Sequence, residues 1–280
     1  MSPVRSIAQA VRELAAVFEQ AGIDSAARDA RVLMAGALGI GTGRLSLHEG
    51  DALAPDTEAR LRDYAAQRLE RRPISHILGR RAFYEHEFEV TPDVLDPRPE
   101  TEALVSAALS GPFDSVLDLG TGSGAILLSL LAARPEARGV GTDISQAALG
   151  VAGRNAARLD VADRAKLIRS DWFGAVTGRF DLIVSNPPYI AATEMADLAP
   201  ELAYEPRVAL TDEADGLTAY RAICAGAGAH LAANGRVMVE IGWKQGARVA
   251  ELMQEAGLAD VRILPDLDGR DRVVCGRAEP

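Results

Sequence analysis

The sequence predicts an α/β protein: a doubly wound, mostly parallel sheet that follows a small N-terminal helical domain and a β-hairpin connector. Three observations carry that expectation. From residue 99 onward, short apolar strands alternate with stretches of helical period, the order that builds a parallel sheet covered on both faces. A glycine-rich turn, Gly120 to Gly124, leaves the first of those strands and opens a helix. Residues 1–72, in contrast, carry apolar side chains spaced three and four apart and read as helices.

Within 1–72, Ile7, Val11, Leu14 and Phe18 form one stripe of a helix that stops near Gly22. Asp24 or Ser25 can cap a second helix carrying Ala27, Ala30, Met34 and either Ala37 or Leu38, ended by Gly39 and Gly41. Pro55 opens a third, with Leu61, Tyr64, Ala65 and Leu69 on one face, closing at Arg71-Arg72-Pro73. Such a domain suits either a stabilising cap or a substrate-docking unit. Residues 73–98 are read as the hairpin connector, because Phe83, Phe88, Val90 and Val94 alternate with polar residues around the interruption Thr91-Pro92-Asp93. In 99–280 the predicted strands are 114–119, 138–143, 164–169, 180–185 and 236–241. The predicted helices are 123–134, 145–158, 215–233 and 244–257. Two short strands near 260–264 and 272–276, separated by Pro265 to Gly269, make a closing hairpin with an antiparallel strand.

The 280 residues are 48% hydrophobic and 25% charged, the proportions of a globular chain able to bury a core. Two cysteines, Cys224 and Cys275, cannot make a disulfide framework or a four-ligand zinc site, and only four histidines are available to help them. No metal is expected, and a reducing, cytoplasmic setting is. No apolar run approaches the ~18 residues that span a bilayer, and MSPVRSIAQAVREL, with Glu13 early, is unlike a signal peptide. The net charge of −10 is unevenly placed: residues 1–72 carry 10 basic and 10 acidic side chains, residues 73–280 carry 20 and 30. An acidic major domain disfavours nucleic acid as a direct ligand, since phosphates are ordinarily neutralised by Lys and Arg.

The turn Asp118-Leu119-Gly120-Thr121-Gly122-Ser123-Gly124 lets a ligand approach the backbone and points the free N–H groups of a helix N-terminus at it. Asp143 closes the second strand 19 residues after Gly124, where a carboxylate can accept both ribose hydroxyls of an adenosine. Gly120-x-Gly122-x-x-Ala125 also satisfies the nicotinamide-dinucleotide pattern, so the loop alone leaves that class open. Ser170-Asp171-Trp172 ends the third strand and can offer an acceptor to an adenine amino group and an indole face to its ring; it equally suits an N-cap followed by a core Trp. The fourth strand runs into Asn186-Pro187-Pro188-Tyr189. A planar NH₂ conjugated to a carbonyl or ring is a poor nucleophile, because its lone pair is delocalised. Two acceptors converging on its N–H bonds, the Asn186 side-chain oxygen and a carbonyl of the rigid proline segment, would free that pair for a methyl donor. Tyr189 would supply a flat face for the planar group.

DLGTGSG (118–124), Asp143 and NPPY (186–189) together resemble the S-adenosylmethionine-dependent amino-methyltransferases, which cover adenine-N6 DNA enzymes and glutamine-N5 protein enzymes. RRPISHILG (71–79), DPRPETE (96–102), RSDWF (169–173), SNPPYI (185–190), YEPRVAL (204–210), DGL (215–217) with Tyr220 and Arg221, and EIGWKQG (240–246) narrow this. Over nearly its full length the chain resembles the release factor glutamine methyltransferase family, also called HemK or PrmC. The resemblance implies a Rossmann-like class I methyltransferase domain over 99–280 and N5-methylation of the glutamine in the Gly-Gly-Gln motif of class 1 peptide chain release factors. It implies S-adenosyl-L-methionine as donor and S-adenosyl-L-homocysteine as product. Carried over, the cofactor residues are Gly120, Thr121, Gly122, Ser123, Gly124, Asp143, Trp172 and Asn186, and the substrate residues Asn186, Pro187, Pro188 and Tyr189. Among these Asn186, Pro187 and Tyr189 would serve the transfer itself. Asp96 stands where the family usually has an aliphatic residue; it could bond Arg98, bond a loop N–H or face solvent. Arg98, Glu100 and Glu205 suit either the pocket or ion pairs within the loops. The alternatives are a glutamine of a ribosomal protein and, against the charge, a DNA adenine.

Overall fold

The computed structural model describes residues 5–279; residues 1–4 and Pro280, the outer ends of the segments 1–72 and 99–280, lie outside the described residues. The chain divides into two units, one of residues up to Gly79 with Pro200–Tyr204, the other of Arg80–Ala199 with Glu205 onward. The division falls inside the stretch 73–98 and leaves its first seven residues with the helices.

The first unit holds α1 (Ile7–Gln20), α2 (Ala26–Leu38), α3 (Pro55–Leu69) and the short α4 (Ile74–Leu78). Ser6 caps α1 through a capping box: its hydroxyl accepts from the Gln9 N–H, and the Gln9 side chain accepts from the Ser6 N–H. The stripe Ile7, Val11, Leu14 and Phe18 is buried as its period predicts, against Ala30, Leu33 and Met34 of α2 and Leu61 of α3. Leu69, predicted on the inner face of α3, is instead 41% exposed. Arg68 takes the interior position, because Asp29 of α2 and Glu201 meet its guanidinium at 2.8 and 2.9 Å. The five-residue α4 is too short to show a helical period, and the sequence reading has no helix there. Leu78 at its end packs so closely over α2 that a Cβ at Gly36 would come within 2.5 Å of Leu78 Cδ2.

In the second unit, β1 (Arg80–Phe83) and β2 (His86–Glu89) form a hairpin that turns at Tyr84-Glu85; Thr91-Pro92-Asp93, the interruption expected within it, lies beyond β2. Seven further strands form one sheet: β3 (Ser115–Leu119), β4 (Arg138–Asp143), β5 (Ala165–Arg169), β6 (Phe180–Ser185), β7 (Leu231–Glu240), β8 (Ala259–Pro265) and β9 (Asp271–Arg277). Their order is β5-β4-β3-β6-β7-β9-β8, parallel from β5 to β7 and antiparallel where β9 pairs with β7 and β8. Strand period two sends Val116, Leu182 and Val184 to one face and Leu117, Ile183 and Val237 to the other. The first face is covered by α5 (Glu102–Leu109) and α6 (Ala125–Ala133), and the second by α8 (Thr218–His230) and α9 (Gly246–Glu255). A further helix, α7 (Gln146–Arg158), packs Ala148 and Val151 on Val90 and Val94.

The largest shifts from the predicted boundaries fall in two elements. The helix placed at 215–233 runs over Thr218–His230, its start delayed by a turn in which Asp212 accepts the N–H groups of Ala214, Gly216 and Thr218. The strand placed from 236 begins at Leu231, because Phe180 pairs with Leu231 before a register shift brings Leu182 opposite Arg236. Helix α5 has no counterpart in the predicted order. Its eight residues span little more than two turns, too few for a periodic signal.

Candidate active site

A cleft of about 250 Å³ opens at the carboxyl ends of β3, β4 and β6. The chain leaves β3 toward β4 on one side and returns to β6 on the other, so the cleft lies at the switch point of the sheet. Gly120 and Gly122 line it with φ of 71° and 54°, a left-handed backbone that L side chains avoid, and no atom lies within 4 Å of where their Cβ atoms would stand. Gly124 shares that backbone, with φ 82°, and is also crowded. A Cβ there would come within 2.7 Å of Leu128 Cδ1, so this glycine lets α6 start close behind the loop.

The loop is tied down from both sides. Thr121 donates its N–H to the Thr142 carbonyl at 2.8 Å and its hydroxyl to Asp118 Oδ2 at 2.6 Å. Burial pushes the Asp118 carboxyl up to about 7 against the opposing hydrogen bond from Thr121. Asp143 accepts from the Gly122 N–H at 2.9 Å and the Ser145 N–H at 2.8 Å, one on each oxygen. Burial outweighs these donors and raises its proton affinity. Each oxygen retains a further lone pair, so the carboxylate is oriented yet able to accept two hydroxyls. Ile144, 49% exposed, and Trp172 add apolar and aromatic surface to the same wall. Trp172 sits at φ 44°, uncommon outside glycine, and the Ser170 hydroxyl donates to its carbonyl at 2.8 Å. Backbone approach, an oriented acceptor and flat apolar cover are what an adenosine-bearing donor requires, and the residues present fit it.

Opposite stands the Asn-Pro-Pro-Tyr turn. Asn186 lines the cleft at the end of β6, and its amide nitrogen donates to Thr101 Oγ1 at 3.2 Å. Pro188 lines the cleft as well, whereas Pro187 and Tyr189 are not among its lining residues. Tyr189 packs on the core between the sheet and α8, and burial raises its phenol above the usual range. Its carbonyl accepts from Gln245 Nε2 at 3.0 Å; a Cβ at Gly216 would come within 2.4 Å of that oxygen. Ser123 lines the cleft beside Thr121.

Asp96 does not face solvent. It is 4% exposed, with its carboxylate 3.7 Å from both Arg81 and Arg98. Glu205 accepts the Asp96 N–H at 3.1 Å and a short bond from Arg98, which makes Arg98 and Glu205 an ion pair between loops. Neither lines the cleft, nor does Glu100. Among the described residues no group of three or more His, Cys, Asp or Glu could hold a metal ion, and no helix is long and apolar enough to cross a membrane. Thr101, Ile144 and Gln245 carry no local sequence signal for a site role. Thr101 and Gln245 lie in the quoted segments DPRPETE and EIGWKQG, and Ile144 is an apolar residue directly after Asp143.

Residues 95–214 match the family described as Methyltransferase small domain. A methyltransferase from Pyrococcus furiosus shares the fold, with a TM-score of 0.54 and 18% identity over 69% of this chain and 89% of that one. Fold and cleft together define an S-adenosylmethionine-dependent methyltransferase. Residues 9–79 match the family described as PrmC N-terminal domain. The release factor glutamine methyltransferase of Cereibacter sphaeroides is 56% identical over 96% of this chain and 98% of its own length, and that of Rhodospirillum rubrum 44% identical over 92% and 80%. The chain belongs to the release factor glutamine methyltransferase family.

Proposed function

We propose that the protein methylates the side-chain nitrogen, N5, of the glutamine in the Gly-Gly-Gln motif of class 1 peptide chain release factors, in the cytoplasm and with no nucleic acid as direct ligand. One observation carries the reading: Asn186 reaches the cleft that Gly122 and Asp143 line, with its amide nitrogen already engaged by Thr101. That leaves Asn186 Oδ1 as the group able to accept an N–H of a substrate amide.

When bound, S-adenosylmethionine supplies an electrophilic sulfonium methyl. Gly120, Thr121, Gly122, Ser123 and Gly124 admit the donor to the backbone, Asp143 accepts its ribose hydroxyls and Trp172 flanks its adenine. Asn186 Oδ1 and a carbonyl of Pro187 or Pro188 draw on the two N–H bonds of the glutamine amide, which favours a pyramidal nitrogen with its lone pair free. Tyr189, with its carbonyl held by Gln245, keeps that turn in place on the substrate side. Orientation does most of the work, and well-oriented intramolecular reactions gain up to ~7 to 11 kcal/mol from it. After transfer the charged amide nitrogen loses a proton to water, so no general base is needed. Residues 1–72 dock the release factor, because a Gly-Gly-Gln loop offers too few side chains for specificity.

The test is incubation of the full chain with methyl-labelled S-adenosylmethionine and an intact class 1 release factor, followed by mass mapping. Label on the Gly-Gly-Gln glutamine, with a short Gly-Gly-Gln peptide a much poorer substrate, is the expected result. Label only in a ribosomal protein or in DNA would overturn it.

A further inference from the structure

A second cavity, of about 290 Å³, shares no lining residue with the cleft. Arg236 and Met238 of β7, Arg277 of β9, and Arg262 and Leu264 of β8 reach it from the sheet, and Ala107 reaches it from α5. Arg236 lies opposite Leu182, near the amino end of β6, whereas Asn186 follows the carboxyl end of that strand, so the two cavities lie toward opposite ends of the sheet. Residues two apart on a strand share a face, and Met238 and Leu264 pack with the core on the α5 side. The three arginines therefore flank an apolar floor.

These cations lack the partners that arginines find elsewhere in the unit, where Arg98 meets Glu205, Arg154 meets Glu89 and Arg272 meets Asp266. Among the described residues none of the three forms an ion pair, not even with Asp260, which lines the same cavity. Arg236 and Arg277 are directly opposed across the β7–β9 ladder, a placement in which like charges destabilise a sheet. Arg236 is nevertheless held in position. Its Nη2 donates to the carbonyls of Ala108 and Pro112 at 3.2 and 3.1 Å, and a Cβ at Gly111 would come within 2.6 Å of its Nη1. Burial lowers the proton affinity of this guanidinium, and the charge of Arg277 lowers it further. All this occurs in a segment, 73–280, with 20 basic and 30 acidic side chains, so the cluster runs against its surroundings.

Three guanidinium charges against the one carboxylate of Asp260 leave two positive charges, which a phosphate dianion cancels and a monocarboxylate does not. Guanidinium forks also match phosphate oxygens. The volume is at the lower end of small-molecule pockets, roughly 300 Å³, and the floor of Ala107, Met238 and Leu264 suits a compact apolar body. The phosphate chain of a nucleic acid would meet the acidic surplus on either side. We propose that this cavity binds a small organic phosphomonoester, with Arg236 as the fixed donor and the exposed Arg262 and Arg277 closing on the phosphate. The site stands apart from methyl transfer and does not depend on the glutamine assignment.

Phenyl phosphate, a phosphate dianion on a small apolar ring, is the probe. It is titrated into the full chain with S-adenosylhomocysteine filling the cleft, and followed by ¹H–¹⁵N NMR. Backbone amides of β8 and β9 should shift saturably. Arg262→Gln and Arg277→Gln should each weaken binding about tenfold or more, the scale of one charge-assisted hydrogen bond, with S-adenosylmethionine affinity within about twofold of the parent. Arg277→Gln removes one of two opposed like charges, so urea denaturation should show it no less stable than the parent, and a loss of binding is then not a loss of fold. Inorganic phosphate should bind more weakly, and benzoate, a monoanion on the same ring, should leave β8 and β9 unmoved. Unchanged affinity in both variants, or benzoate binding as tightly as phenyl phosphate, would overturn the site. An RNA oligonucleotide that shifts these strands where phenyl phosphate does not would overturn it as well, and would assign the arginines to a nucleic-acid surface.

Discussion

The helical unit and the cleft of the sheet unit both bury carboxylates, and they treat them in opposite ways. In the helices, Asp29 and Glu201 share one guanidinium, that of Arg68, with N···O distances of 2.8 and 2.9 Å. Burial works against ionisation of Glu201, but its backbone hydrogen bond and Arg68 prevail and hold it below the usual range. Around the cleft, Asp118 and Asp143 are held by neutral donors: the hydroxyl of Thr121 and the N–H groups of Gly122 and Ser145. Burial prevails there, and both carboxyls are raised. A full cation consumes a carboxylate as structure. Neutral donors aim it and leave lone pairs for a ligand or for a further side chain.

Removing the cation tests the first half of that contrast. Arg68→Ala strands two carboxylates, one of them deeply buried, and should cost about 3 to 5 kcal/mol in urea denaturation of the full chain, the range for breaking a buried pair from one side. A change below 1 kcal/mol would mean that water replaces the arginine freely. At the cleft the effect should appear in rate. Asn186→Ala is expected to keep the fold and most donor binding while turnover drops ~10²-fold, by analogy with loss of one oriented oxyanion donor. Turnover near that of the parent would remove Asn186 from the transfer step. Asp143→Ala should weaken S-adenosylmethionine binding in calorimetry by roughly tenfold or more, the scale of a charge-assisted hydrogen bond, with release factor association unchanged. Equal donor affinity would show that the ribose is held elsewhere.

The smallest effect is in pH dependence. The folded Asp118 carboxyl is raised to about 7 from an ordinary 3.8, so the folded chain holds a proton that the unfolded chain has lost. The stability this contributes is fully present below pH ~4 and is lost as pH rises through about 7. Asp118→Asn cannot titrate. Its melting temperature relative to the parent should therefore rise between pH 5 and pH 8, and a difference independent of pH would show that Asp118 is ordinary.

Much of this architecture is legible before any coordinates exist, because it is written in local repetition and in residues with restricted backbones. The stripe from Ile7 to Phe18, the strand over 180–185 and the glycines around Gly122 each need only near neighbours to express a period or a turn. The placement of Asp143 at the cleft follows from the same rule, since a strand end fixes it. The pairings that orient the site are different in kind. Thr101 meets Asn186 across 85 residues, and Asp96 meets Glu205 across 109. Arg68 reads as one more polar residue on α3 until Asp29 and the distant Glu201 close on it. Which end of the Asn186 amide faces the cleft, and which carboxylates keep their lone pairs free, depends on what the fold brings within about 3 Å. Hydrogen bonds act only over that range, whereas the hydrophobic period acts along the chain.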